Sequence, residues 1–268
     1  MKALRALLAV PILALTLAAQ SPVAPPSLER GENDAITAAL PDDPQLAKAI
    51  APLAAEIHAS FDRVLAQAPD GIARRAGAGK LPLGFLVADI MRDAAAAVVG
   101  PEVRLAVTNS GGLRRDLPAG PVRVEDIYEV LPFDNELVVA DYSGAELAEV
   151  VREGLQRKGG EPIAGLRVEA TGTLDDLHLG LYLLDGQPVL PTATYRVATS
   201  DYLLANGDYT PTMKRGRNPV LTSIPVRQAL LDWCRRQGQE GRPLQGRMDA
   251  RYRLAPELAP AVQALAQR

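Results

Sequence analysis

A helix-length apolar run and a strand-length one stand almost back to back between Leu81 and Thr108, and together they demand a fold that mixes helices with strands. Leu81 to Val99 is apolar on most of its circumference and reads as a mostly buried helix, with Pro82 suited to its first turn and Gly100-Pro101 stopping it. Val103-Arg104-Leu105-Ala106-Val107-Thr108 follows as a β-like run and leads into Asn109-Ser110-Gly111-Gly112-Leu113-Arg114, a loop at a strand's carboxyl end. Two glycines let a backbone approach a ligand closely, and the guanidinium of Arg114 offers a planar fork of donors to an anion. Taken alone, a tight glycine turn with a surface arginine explains the same six residues.

The rest of the chain keeps to this mixture. Gln45 to Phe61 repeats Leu46, Ile50, Leu53, Ala54 and Ile57 at helical spacing, and a short strand near Arg63 to Ala66 stops at Pro69-Asp70-Gly71. Asp126 to Leu131 reads as a short helix and Glu136 to Asp141 as a strand. Ser143-Gly144-Ala145-Glu146 has capping-box spacing and opens a helix to about Arg157. Leu166 to Ala170, Leu177 to Leu184 and Thr194 to Thr199 are strand candidates, Val226 to Arg236 a helix, and Ala250 to Leu254 a closing strand. The alanine-rich tail reads as a frayed helix. Neither a fixed-period repeat nor an internal seam divides residues 44–254, so they read as one α+β domain with a mixed sheet.

The amino terminus has the build of a secretory signal peptide, expected over residues 1–19. Lys2 and Arg5 precede the apolar run Ala6 to Ala18, and small residues follow at Thr16-Leu17-Ala18 or Leu17-Ala18-Ala19. The run is shorter than the roughly 20 residues of a membrane span, so export to the periplasm or the extracellular space is expected, with no membrane attachment after cleavage. Residues 20–43, rich in proline and polar side chains, read as a flexible spacer, and 255–268 as a tail. The 29 basic and 32 acidic residues give a net charge of −3. A mildly acidic chain without a basic stripe argues against a nucleic-acid polymer as partner. Cys234 is the only cysteine; stability therefore rests on a packed core, with Cys234 a small buried member of it.

Self-contained catalysis finds little support. The chain has two histidines, His58 and His178, far apart in sequence, whereas a dinuclear hydrolase centre takes several His and Asp ligands. Gly77-Ala78-Gly79-Lys80 fails as a phosphate loop, because Arg74 stands where a glycine is needed and Leu81 where a hydroxyl is. There is no Gly-x-Ser-x-Gly elbow, and the carboxylates, Asp134 and Glu136 among them, show no acid/base spacing.

Binding chemistry is better represented. Aromatic residues make up 4% of the chain, yet Phe133 follows a helix end at Pro132 and Tyr202 follows a strand. Two opposed rings make a slot for a flat base, although loop aromatics capping a core are an equal reading. Asp208, after the turn Asn206-Gly207, is an acceptor-only carboxylate suited to a vicinal diol, or simply to capping a turn. Arg114 suits a phosphate.

These segments resemble the C-terminal domain of the bacterial and animal 5′-nucleotidases, a family that includes UDP-sugar hydrolases and cyclic phosphodiesterases. The resemblance spans roughly residues 62–254. It rests on Leu83-Gly84-Phe85-Leu86-Val87-Ala88-Asp89 and Thr108 through Arg114. It continues through Leu131-Pro132-Phe133, Ser143 through Leu147, Gly165-Leu166-Arg167 and Tyr202 through Asp208, all in the family's order and spacing. It implies a layered α-β-β-α sandwich that recognises a nucleoside or nucleotide. Asn109, Gly111, Gly112 and Arg114 would contact polar groups, Arg114 the phosphate; Phe133 and Tyr202 would stack the base, and Asp208 would hold the ribose hydroxyls. Asp89 would be structural. No cofactor is expected in this chain; the two divalent metals of the family belong to a metallophosphatase domain, expected here as a separately encoded partner. The departures are Gly77-Ala78-Gly79 where the family often has a phosphate-binding arginine, with Arg74 and Arg75 upstream, and Asn206-Gly207 and Tyr209 where glycines flank the aspartate. Three roles follow: the recognition half of a split nucleotide-degrading enzyme, a stand-alone nucleoside- or nucleotide-binding protein, or a structural protein that keeps only the fold.

Overall fold

The structure, a computed structural model, describes residue 37 and residues 39–266; the expected signal peptide and most of the expected spacer lie outside the described residues. The chain divides into two units, Met1–Ala49 and Ile50–Arg268, at a point inside the first helix, α1 (Pro44–Phe61). None of the α1 residues is buried, and Ile50, Leu53 and Ile57 lie exposed along it.

The elements after α1 are β1 (Val64–Ala68), α2 (Pro82–Val99), β2 (Val103–Val107), β3 (Gly120–Arg123), α3 (Val124–Val130), β4 (Glu136–Ser143) and α4 (Gly144–Lys158). There follow β5 (Ile163–Ala164), β6 (Leu166–Gly172), β7 (Leu177–Leu183), β8 (Thr194–Ser200), α5 (Asp201–Asn206), β9 (Arg217–Pro225), α6 (Val226–Gln239), β10 (Tyr252–Leu254) and α7 (Ala259–Ala266). Local chemistry sets several boundaries. Pro82 opens α2, where its missing N–H costs nothing. Ser143 and Glu146 form the reciprocal capping box of α4, and Gly159 ends that helix in the left-handed region at φ 70°.

A five-stranded mixed sheet in the order β5-β2-β8-β4-β9 forms the centre. Its side chains alternate between two cores, as the twofold pleat requires. Val103, Ala106, Leu137, Val139 and Ala198 face α2, α6, α3 and the β1–β3 ribbon, where Leu86, Met91, Ile127, Leu230 and Cys234 are buried. Leu105, Val107, Ala140, Tyr142 and Val197 share the second core with α4 and the three-stranded sheet β10-β6-β7. The expected mixed-sheet α+β fold, layered as a sandwich, is what the chain adopts. The tail that reads as frayed forms α7, and its Val262 is fully buried in the second core.

This topology assembles one rim of the sheet. β2 and β8 are parallel neighbours, so the chain leaves both at the same end, toward Asn109 and toward α5. β4 runs antiparallel to β8 with Leu137 opposite Ser200, so the segment entering β4 arrives at that rim too. Three stretches remote in sequence are thereby laid side by side.

Candidate functional site

The loop after β2 is a single 3₁₀ turn, Ser110–Gly112, closed by the Gly112 N–H donating to the Asn109 carbonyl at 3.2 Å. Arg114 is tied to the end of α3, its backbone N–H donating to the Val130 carbonyl at 2.9 Å, while its side chain stays exposed. A β-carbon on Gly112 would lie 3.0 Å from Asn109 Oδ1, so the glycine lets the asparagine fold over its own loop. That asparagine donates from Nδ2 to Asp208 Oδ2 at 2.8 Å. Asp208 sits at φ 47°, directly after Gly207 at φ 75°. A side chain on Gly207 would approach the Pro211 α-carbon to 2.7 Å, so this turn needs its glycine.

The aromatic side comes from the other two stretches. Arg227 on α6 holds the loop before β4, donating to the carbonyls of Leu131 at 3.1 Å and Phe133 at 3.4 Å, pairing with Asp134 and lying 4.1 Å over the Tyr128 ring. Phe133 is thereby left with 48% of its surface exposed. Tyr202, expected in a loop, lies instead in the first turn of α5, whose start is capped by Ser200 Oγ accepting from the Leu203 N–H at 3.2 Å. The pair Ser200-Asp201 is a helix-start signal, a serine cap followed by an acid.

All seven residues singled out in the sequence, Asn109, Gly111, Gly112, Arg114, Phe133, Tyr202 and Asp208, line one hollow of about 240 Å³, together with Asn135 and Tyr209. Tyr209, read in the sequence as a departure beside Asp208, thus becomes a wall of the hollow, whereas Asn135 escaped sequence reasoning; it lies two positions beyond Phe133, where β4 enters the rim beside β8. A second hollow of about 560 Å³ adjoins the first through Gly111, Arg114 and Tyr209 and is strongly basic, with Arg74, Arg75 and Lys158 on its walls. Arg74 is engaged by Asp116 and the Leu113 carbonyl. Arg75 Nη2 donates to Ser110 Oγ at 3.0 Å. A tight turn at Gly77 to Lys80 carries Arg75, from the stretch read as a departure from the family pattern, back toward the glycine loop.

Other candidates have structural or surface roles. Asp89, buried on α2, receives Arg251 Nη1 at 3.0 Å and Nη2 at 2.7 Å and Arg247 Nε at 3.2 Å, which pins the closing strand to that helix. His58 and His178 are exposed. Among the described residues no group of three or more His, Cys, Asp or Glu side chains is placed to hold a metal ion. The divalent metals that the resemblance implies thus find no fitting donor set in the described part of this chain.

Residues 64–215 match the family described as "5′-nucleotidase, C-terminal domain". The chain is 34% identical over 139 residues to the trifunctional nucleotide phosphoesterase protein YfkN of Bacillus subtilis, covering 47% of this chain and 9% of that protein. It is 34% identical over 111 residues to the protein UshA of Escherichia coli, covering 40% and 19%. Its fold matches the crystal structure of a 5′-nucleotidase precursor from Thermus thermophilus with a TM-score of 0.65 at 24% identity, over 81% of this chain and 44% of that one. The NAD nucleotidase of Haemophilus influenzae matches with a TM-score of 0.60 at 20% identity, over 79% and 41%. The chain therefore spans less than a quarter of these two curated relatives and under half of these solved neighbours. With its matched segment covering the glycine loop, both aromatic positions and Asp208, this chain belongs to the 5′-nucleotidase C-terminal domain family.

Proposed function

We propose that this domain is the recognition module for a nucleoside or nucleotide, acting in nucleotide breakdown with a metallophosphatase module outside these 268 residues. The observation that carries the reading is the convergence of Phe133, Tyr202, Asp208, Asn109 and Arg114 on one hollow of about 240 Å³. The base lies against Phe133 and Tyr202, and the ribose hydroxyls donate to Asp208, which Asn109 already orients. A phosphate then points toward the basic hollow, where Arg114 and Arg75 receive it. Chemistry at the phosphorus requires a metal-bound hydroxide, which the partner module supplies. This domain contributes position, and holding reacting groups in place lowers a barrier without any reacting group of its own.

A further observation supports a partner. The apolar stripe Ile50, Leu53 and Ile57 of α1 is exposed, and runs of exposed apolar side chains mark interaction surfaces. The amino-terminal pattern Lys2, Arg5 and Ala6 to Ala18 is in keeping with an exported compartment as the setting of this function.

Calorimetry of the purified chain against a panel of nucleosides and their 5′-monophosphates tests the recognition step. Binding at micromolar to millimolar concentration, weakened by Phe133→Ala and by Asp208→Asn, is the expected result; no binding by any member of the panel refutes it. Phosphate release that appears only on adding a metallophosphatase with divalent metal separates the two-component enzyme from a stand-alone binding protein.

A further inference from the structure

Beneath the glycine loop lies a buried acid that the recognition reading does not use. Glu161, in the connection from α4 to β5, is 3% exposed. Its Oε2 accepts the Ser110 N–H at 2.6 Å, and the hydroxyl of the same serine receives Arg75 Nη2 at 3.0 Å. Glu161 Oε1 and Arg75 Nη1 are both buried and both without a hydrogen-bond partner. An acid and a base thus meet on one serine, each with an orphaned polar atom. Orphaned buried polar groups are costly enough to call for an explanation.

The neighbours of Glu161 explain why its charge matters. Arg75 attracts it from the turn before α2, Asp208 repels it from the segment after α5, and the Tyr252 hydroxyl on β10 donates to its backbone carbonyl at 2.8 Å. α4 presents Gly154, where a β-carbon would stand 3.2 Å from Glu161 Cγ, so the helix leaves room for this side chain. Arg75 also lines the basic hollow with Arg114 and Lys158. An ionised Glu161 therefore competes with any ligand anion for the same guanidinium.

We propose that Glu161 is a positioning residue that sets the site's preference for anionic over neutral ligands: charged, it neutralises Arg75, and protonated, it releases that arginine to the ligand. The inference rests on the recognition reading and deepens it. Burial, the largest influence, raises the carboxyl to about 7, with the hydrogen bonds from Ser110 and the charge of Arg75 opposing. An anion arriving near Arg75 raises it further, so binding takes up a proton and anion affinity falls as pH rises through neutrality.

The test uses adenosine 5′-sulfate and uridine 5′-sulfate, whose single charge does not titrate near neutrality, with the two nucleosides as neutral controls. For a further rise of one pKa unit on binding, wild-type affinity for a sulfate ester falls about fivefold between pH 6 and pH 8, while nucleoside affinity stays level. Glu161→Gln keeps an acceptor for the Ser110 N–H and is expected to hold the sulfate ester at the wild-type low-pH strength at every pH. The wild type alone supplies a second measurement. Calorimetry at pH 7 in buffers of different ionisation enthalpy should register uptake of about 0.4 proton with the ester and none with the nucleoside. The same pH slope in Glu161→Gln, or no proton uptake by the wild type while nucleosides still bind, overturns this inference alone. Failure of the wild type to bind either nucleoside overturns the recognition reading and this inference with it.

Discussion

Replacing Glu161 with glutamine has a consequence for stability that needs no ligand. In the unfolded chain a glutamate titrates near its ordinary value of about 4.3; in the folded protein burial raises it to about 7. A raised carboxyl disfavours the folded state once the unfolded one can ionise. Well below pH 4 both states are protonated and the group costs nothing. Between there and pH 7 the unfolded state loses its proton first, and stability drains away; above pH 7 the penalty is constant. With one pKa unit equal to 1.36 kcal/mol, a gap of roughly two to three units amounts to about 3 kcal/mol. Glutamine does not titrate, so every other titrating group cancels when the two proteins are compared. The stability difference, from urea unfolding at pH 5, 6, 7 and 8, should move in favour of the variant by about 2–3 kcal/mol over that range. A fixed offset from the new amide is immaterial, because only the slope is diagnostic. A difference constant to within about 0.5 kcal/mol from pH 5 to pH 8 refutes the reasoning.

Three other perturbations have defined outcomes. Phe133→Ala and Tyr202→Ala should each weaken nucleoside binding by about 1–3 kcal/mol, roughly 5- to 150-fold by calorimetry, with a smaller change in melting temperature than a core truncation gives, because neither ring is buried. Asp89→Asn takes from the buried Arg251 the carboxylate that accepts from both of its Nη atoms and leaves it only Asp249, on Nε, as a charged partner; it should destabilise by about 2 kcal/mol in chemical denaturation. Arg217→Ala should remove the acid tolerance of α4. The Glu146 carboxyl is held down to about 2, first by its hydrogen bond from Arg217, so the pair stabilises above pH 4.5 and loses its effect as pH falls through about 2; the variant's deficit seen by circular dichroism at pH 7 should vanish near pH 2.

How far the sequence alone discloses this molecule depends on the range of the forces involved. Elements with strong periodicity or local caps were legible: α2 between Pro82 and Gly100, α4 from the Ser143–Glu146 box, and β8 from its β-branched and aromatic residues. β9 was not. It carries Asn218, Pro219 and Ser223 and is mostly exposed, and only its ladder to β4 and the bond from Thr222 Oγ1 to the Leu137 carbonyl make it a strand. The site divides in the same way. Asn109, Gly111, Gly112, Arg114 and Asp208 occur in short runs whose glycines and polar groups announce a ligand. Arg75 and Glu161 flank Ser110 from 35 and 51 residues away, a meeting created by sheet order and a tight turn, for which no local pattern exists.

β9 also protects the molecule from itself. It forms one margin of the central sheet, and β5, two residues long and buried, forms the other. A margin nine residues long is a template on which another chain can polymerise. Pro219 and Pro225 lack the N–H such growth requires, Asn218 and Ser223 turn the backbone into the left-handed region, and its register to β4 breaks twice. The sheet is thus finished at both sides, at one by brevity and burial and at the other by irregular backbone.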